Sequence, residues 1–116
     1  KMCYKATCYA TTREIAMRCG IDESHYTVSF QSRLGGGWIE PFSDKVIEEL
    51  AKKGAKKLLV FSPAFVADCL ETTIEIGEEY QELFEEHGGE KVQLVPSLND
   101  GEDWIDLLED IVRKRL

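Results

Sequence analysis

The stretch FSPAFVADCLETTIEIGEEY, residues 61–80, carries three glutamates at four-residue intervals: Glu71, Glu75 and Glu79. On a helix such residues stack on themselves, and each exposed like-charge pair costs roughly 0.2–0.5 kcal/mol. Two chemistries suit the pattern. Solvent can screen the charges, which makes the row a wet surface. Alternatively, a row of carboxylates one turn apart passes a divalent cation from solvent to a buried acceptor. Oxygen ligands suit Mg²⁺, Ca²⁺ and Mn²⁺, and Fe²⁺ accepts them beside a nitrogen donor. Transit needs weak, repeated sites, because a tight cage would trap the ion. A more local reading is that Asp68 and Glu71 resemble a capping box, with acids favoured near a helix N-terminus. Periodicity alone favours the wet face, since a wheel at about 100° per residue sets Leu70, Thr73, Ile74, Gly77, Tyr80 and Phe84 opposite the glutamates.

The elements that must position these residues alternate. Residues 4–19 read as a helix ended by Gly20, and Tyr26–Phe30 (YTVSF) as a strand. A glycine-rich loop containing GGGW follows over residues 32–42. Ser43 or Asp44 can cap a helix to Lys53 that closes at Gly54. Lys57–Phe61 (KLLVF) is a more apolar strand, residues 68–87 a helix stopped by Gly88-Gly89, and Lys91–Val95 (KVQLV) a third strand. Residues 102–116 form an amphipathic closing helix with Trp104, Ile105, Leu108 and Ile111 on one face. This order implies an α/β fold: a three-layer, Rossmann-like arrangement with a parallel sheet covered by helices on both faces. Three strands make a thin sheet, and a first strand upstream would complete it. Ligands in such sheets sit beyond the carboxyl ends of the strands. That rim collects Gln31-Ser32-Arg33, Ser62-Pro63-Ala64 and Pro96–Asp100, and Glu71 lies in the first turn of the helix that leaves it.

Composition bounds the partners. The chain has 116 residues, 43% hydrophobic and 31% charged, with net charge −8, enough for one domain spanning residues 1–116. The acidity argues against nucleic acid or an anionic membrane surface, which need clustered Lys and Arg. No apolar run reaches the roughly eighteen residues of a membrane span. The opening Lys1-Met2-Cys3-Tyr4 reads as an entry into the middle of a longer protein. Four cysteines (Cys3, Cys8, Cys19 and Cys69) do not form the pattern of a secreted disulfide scaffold, and a reducing cytoplasm is expected. His25 and His87 read as surface residues, and Cys19 as a core residue near a helix end.

Three blocks carry a family resemblance. FSPAFVADCLETTIEI resembles the stretch of ferrochelatases that holds their essential glutamate; SFQSRLGGGWIEPFSD is similar to their S-x-Q-S-[RK]-x-G-x-x-W-[IL]-x-P loop; VPSLNDGEDWIDLLEDIV is similar to their closing strand, turn and helix. The blocks occur in family order and cover nearly the whole chain. The resemblance implies the C-terminal half of a bacterial, two-half chelatase that inserts Fe²⁺ into a porphyrin, protoporphyrin IX or coproporphyrin III, in haem biosynthesis. It further implies that Glu71 handles metal insertion and porphyrin protons, with Glu75 and Glu79 leading metal inward. Gln31, Ser32, Arg33 and Trp38 would lie against the porphyrin, although the GGGW loop is one residue short of the commoner pattern. Left to their residue types, Trp38 reads equally as a loop anchor, Arg33 as an ion-pair partner and Ser32 as a turn residue. The family's histidine belongs to an upstream S-A-H-[GS]-L-P strand, absent from this sequence. The missing N-terminal half is therefore an expected partner, and the 116 residues alone are expected to be inactive. Cys3 and Cys8 sit where some bacterial members hold a two-iron–two-sulfur centre; otherwise they are ordinary thiols. Cys69 stands where many relatives place a second histidine, as a soft donor or a small packing residue. The other readings are a different tetrapyrrole chelatase, such as a cobalt chelatase, and a non-catalytic haem- or metal-binding module.

Overall fold

A computed structural model describes residues 3–31 and 37–116. They fall into two units that part between Val46 and Ile47.

The first unit opens with helix α1 (Tyr4–Cys19). It stops where expected: Gly20 takes φ 70°, and the Ile21 N–H reaches back to the Ala16 carbonyl at 2.8 Å. Left-handed backbone is cheap for glycine, and this back-bonding satisfies carbonyls the helix end would orphan. The segment Tyr26–Phe30 corrects an expectation. Among the described residues it forms a single parallel bridge, Phe30 with Phe42, rather than a strand. The Phe30 N–H donates to the Pro41 carbonyl at 2.8 Å and the Ser43 N–H to the Phe30 carbonyl at 2.9 Å. Composition makes YTVSF a good strand former, but a strand exists only through a ladder, and one residue of ladder is present here. Phe30 is buried, with the Tyr9 ring 6.3 Å away. Helix α2 (Ser43–Lys52) starts at the expected serine, whose hydroxyl lies 2.8 Å from that of Ser29.

The second unit takes the rest of α2, which closes with Gly54 at φ 98°. Strands β1 (Lys57–Val60) and β2 (Lys91–Leu94) pair in parallel, Lys57 opposite Lys91 and Val60 opposite Leu94. Parallel neighbours need a long crossover. Here it is a continuous helical run that is π over Glu71–Glu79 and α over α3 (Tyr80–Glu86). The core joins Ile47 and Ala51 of α2 with Ile76, Tyr80, Phe84 and Val92, and Leu58, Val60 and Leu94 pack against it. A small parallel sheet flanked by helices is thus a partial α/β chelatase fold, with two strands in its ladder rather than three among the described residues. Gln81 closes an open backbone position on β2: its Oε1 accepts the Val92 N–H at 2.7 Å, and its Nε2 donates to the Glu90 carbonyl. Helix α4 (Glu102–Arg115) has Trp104 and Leu108 half-buried but Ile105 and Ile111 exposed, so the expected apolar face is only partly covered. Among the described residues, no helix is long and apolar enough to cross a membrane.

Candidate active site

The helix leaving the rim is where the sequence reading needs its main correction. Residues 71–79, ETTIEIGEE, hydrogen-bond i to i+5 rather than i to i+4, and the Tyr80 N–H still reaches the Glu75 carbonyl. A π-turn is rare and is found most often at functional sites. Two local features favour the widened turn. Thr72 and Thr73 both turn their hydroxyls back to the Cys69 carbonyl, at 3.1 and 2.9 Å, and such back-bonding competes with the helix ladder. Four of the first six residues are β-branched, which crowds an α-turn.

The wider turn re-aims every side chain on it. The buried stripe is Thr72, Ile76, Tyr80 and Phe84, spaced by four, whereas Leu70 is 74% exposed and Thr73 is also exposed. An α-helical wheel had placed Leu70 and Thr73 on the core side. Each glutamate of the row comes one residue before a member of the buried stripe, so the row flanks the core instead of opposing it. Glu75 is half-buried, and the hydroxyl of buried Tyr80 donates to its Oε1 at 2.9 Å. An i, i+5 side-chain contact of this kind is foreign to an α-helix, where those positions point well apart. Glu71 and Glu79 are exposed.

Glu71 begins the π-run, within the crossover that leaves the carboxyl end of β1. Its carboxyl is held below the usual carboxylate range, first by a hydrogen bond from the Cys69 thiol and then by its own backbone N–H. Asp68 is lowered too, chiefly by Asn99, with the Ser97 N–H and Thr72 hydroxyl adding. Both groups are therefore anionic at neutral pH. An ionised carboxylate at an exposed rim can attract a cation, one of the two tasks that the resemblance implies for Glu71. Among the described residues no three His, Cys, Asp or Glu side chains converge to hold an ion, so the glutamates stand as separate carboxylates.

Of the loop residues, Trp38 and Gln31 come together in the first unit: the indole N–H donates to the Gln31 carbonyl at 3.2 Å. Trp38 keeps 39% of its surface exposed, so it is anchored by its edge with much of the ring still available. Ser32 and Arg33 lie outside the described residues. Cys3 precedes α1 and Cys8 lies within it, and the Tyr4 phenol, one turn before Cys8, is raised in pKa first by its hydrogen bond with that thiol. Four thiolates hold a two-iron–two-sulfur centre. Cys19 is at the far end of α1, about 16 Å along the axis from Cys8 at 1.5 Å per residue. The residues described here therefore fit half of such a site and do not complete it. All four cysteines are free thiols, and Cys19 is exposed rather than core. His25 is exposed beside Ser24 and Asp22, as expected. His87 is less of a surface residue than expected: Nδ1 lies 2.9 Å from the Leu83 carbonyl and Nε2 3.5 Å from Glu48.

Sequence reasoning placed Asn99 on the rim but missed its pairing with Asp68, and it missed Thr72 and Tyr80 as parts of the site. Tyr80 was signalled only by a five-residue offset that an α-helical wheel discards. Asn99 lies 31 residues from Asp68, beyond the reach of any local pattern.

Comparison with known proteins identifies the family. The ferrochelatase family model matches residues 1–116. A ferrochelatase of Pseudomonas putida (strain W619) is 51% identical over 114 residues, covering 97% of this chain and 34% of that protein. One from Pseudomonas fluorescens (strain SBW25) is 49% identical, covering 98% and 34%, and one from Ectopseudomonas mendocina (strain ymp) is 52% identical, covering 92% and 32%. The chain thus spans about a third of the length of the curated relatives it matches. By motif, fold and similarity, the chain belongs to the ferrochelatase family.

Proposed function

We propose that this chain is the C-terminal part of an enzyme that inserts Fe²⁺ into a porphyrin, protoporphyrin IX or coproporphyrin III, in haem biosynthesis. The observation that supports it most is Glu71: an ionised carboxylate opening a π-turn at the carboxyl rim of a parallel sheet, in a chain of this family. Metalation exchanges two pyrrole N–H protons for one divalent ion. Distorting the macrocycle exposes the nitrogen lone pairs, and Glu71 accepts one departing proton. An upstream histidine, supplied by the other part of the protein, accepts the second. Iron, a substrate here, approaches past Glu79 and Glu75. Porphyrin contacts fall to Trp38, Gln31, Ser32 and Arg33. The free thiols fit a reducing cytoplasm. Cys3 and Cys8 would supply two of four thiolates if the longer protein carries an iron–sulfur centre, and no step above runs through it.

The full-length protein containing this chain, assayed for iron and zinc insertion into both porphyrins, tests the reading. Turnover with either porphyrin supports it. Porphyrin binding without metalation would instead point to a binding module, and metalation restricted to cobalt to a different chelatase.

A further inference from the structure

The loops that leave β1 and β2 are joined by a reciprocal pair of hydrogen bonds. The Asp68 backbone N–H donates to Asn99 Oδ1 at 2.8 Å, and Asn99 Nδ2 donates to Asp68 Oδ2 at 2.9 Å. Asn99 is set for this by its own backbone, at φ 51°, with its N–H on the Val66 carbonyl at 2.8 Å. Asn and Asp are the side-chain-bearing residues that enter left-handed backbone most readily. The other Asp68 oxygen, Oδ1, faces the Thr72 hydroxyl at 3.0 Å and the Ser97 N–H at 3.3 Å. Thr72 is fully buried, and its oxygen also accepts the Cys69 N–H at 3.0 Å. The Cys69 carbonyl in turn takes the N–H groups of Thr72 and Thr73. Glu71 lies inside this bracket, between a residue fixed to the β2 loop and a residue fixed in the core.

We propose that Asn99 is a positioning residue for Glu71, acting through Asp68 to lock the first π-turn against the loop after β2. The proposal rests on the reading of Glu71 as the proton-accepting carboxylate. Both polar ends of the Asn99 side chain are engaged in the latch, so its role runs through Asp68 and not through contact with substrate. A carboxylate displaced by about an ångström from its reacting partner loses on the order of a hundredfold in rate. Freeing the turn should therefore slow the chemical step while leaving porphyrin contacts made elsewhere intact.

The test uses the full-length protein and three variants: Asn99→Ala, Asn99→Asp, and the exchange Asp68→Asn/Asn99→Asp. Asn99→Ala removes the latch, and Asn99→Asp sets two carboxylates against each other. The exchange restores complementarity: the new residue 68 amide donates to the residue 99 carboxylate and still offers its carbonyl to Thr72 and Ser97. Each single variant should lower kcat by about tenfold or more, with KM for porphyrin within about twofold. The exchange should bring kcat back to within about threefold of wild type. Wild-type kcat in Asn99→Ala overturns the proposal. So does an exchange variant that regains wild-type Tm but not kcat, because a carboxylate at residue 68 itself is then required. Hydrogen exchange over residues 68–76 reads the latch without any turnover: faster exchange there in Asn99→Ala supports it, and unchanged exchange overturns it. Absence of metal insertion in the wild type would defeat the proposed function and leave this exchange comparison to decide the latch.

Discussion

At the scale of single residues, the three glutamates of the row are not equivalent. Glu71 is ionised and bracketed, Glu75 is half-buried and tied to Tyr80, and Glu79 is exposed. A solvated acidic face would leave all three free to move, whereas the Tyr80 hydroxyl holds the middle one beside the core. If the row conducts iron, replacing Glu75 and Glu79 together with Gln should raise the apparent KM for Fe²⁺ severalfold and leave KM for porphyrin unchanged. Removing charge without volume isolates the electrostatic term, since Gln keeps the shape of Glu and loses only its attraction for a cation. Steady-state kinetics with each substrate varied in turn checks this; an unchanged KM for iron means the row only solvates the helix. The spacing of Glu71, Glu75 and Glu79 was legible in the sequence, and so was the rim position of the first. Their relation to the core was not, because it depends on a hydrogen-bonding pattern that a fixed 100° period cannot represent.

At the scale of elements, the helices announced themselves through their ends. Gly20, Gly54 and Gly88 take φ values of 70°, 98° and 99°, each where a helix was expected to stop. Strands β1 and β2 were legible as short apolar runs between glycine-closed helices. YTVSF was not, since its composition is that of a strand while pairing depends on a neighbour that composition does not name. Gly89 has a second role, in packing. A Cβ there would stand 2.3 Å from the ring of Phe84, which is wholly buried among Ile76, Tyr80 and Val92. Overpacking a core of native density costs about 1–3 kcal/mol. Gly89→Ala should therefore lower the thermal midpoint of the full-length protein by several degrees, while Gly88→Asn, which retains access to left-handed backbone, should change it much less. Equal midpoints for the two variants would show that Phe84 yields freely.

At the scale of the whole molecule, the chain is a family member that spans about a third of its relatives' length. In the proposed function one proton acceptor, Glu71, stands on the π-turn, and the resemblance assigns the other, a histidine, to an upstream strand. What ties down the start of the π-turn is largely non-local: Asp68 meets Asn99 across 31 residues, and no motif read along the chain joins them. Motif order identified the family because it survives in one dimension; the latch and the Tyr80 tie exist only once the loops are brought together. The central claim is that Glu71 works directly in metal insertion. Glu71→Gln in the full-length protein, measured as turnover of iron insertion beside porphyrin affinity and thermal midpoint, tests it most directly. The account predicts that turnover falls by about 10²–10⁴-fold, the usual contribution of a positioned acid or base, with affinity and midpoint close to wild type. Turnover within a few-fold of wild type, in a folded protein that binds porphyrin normally, would contradict it.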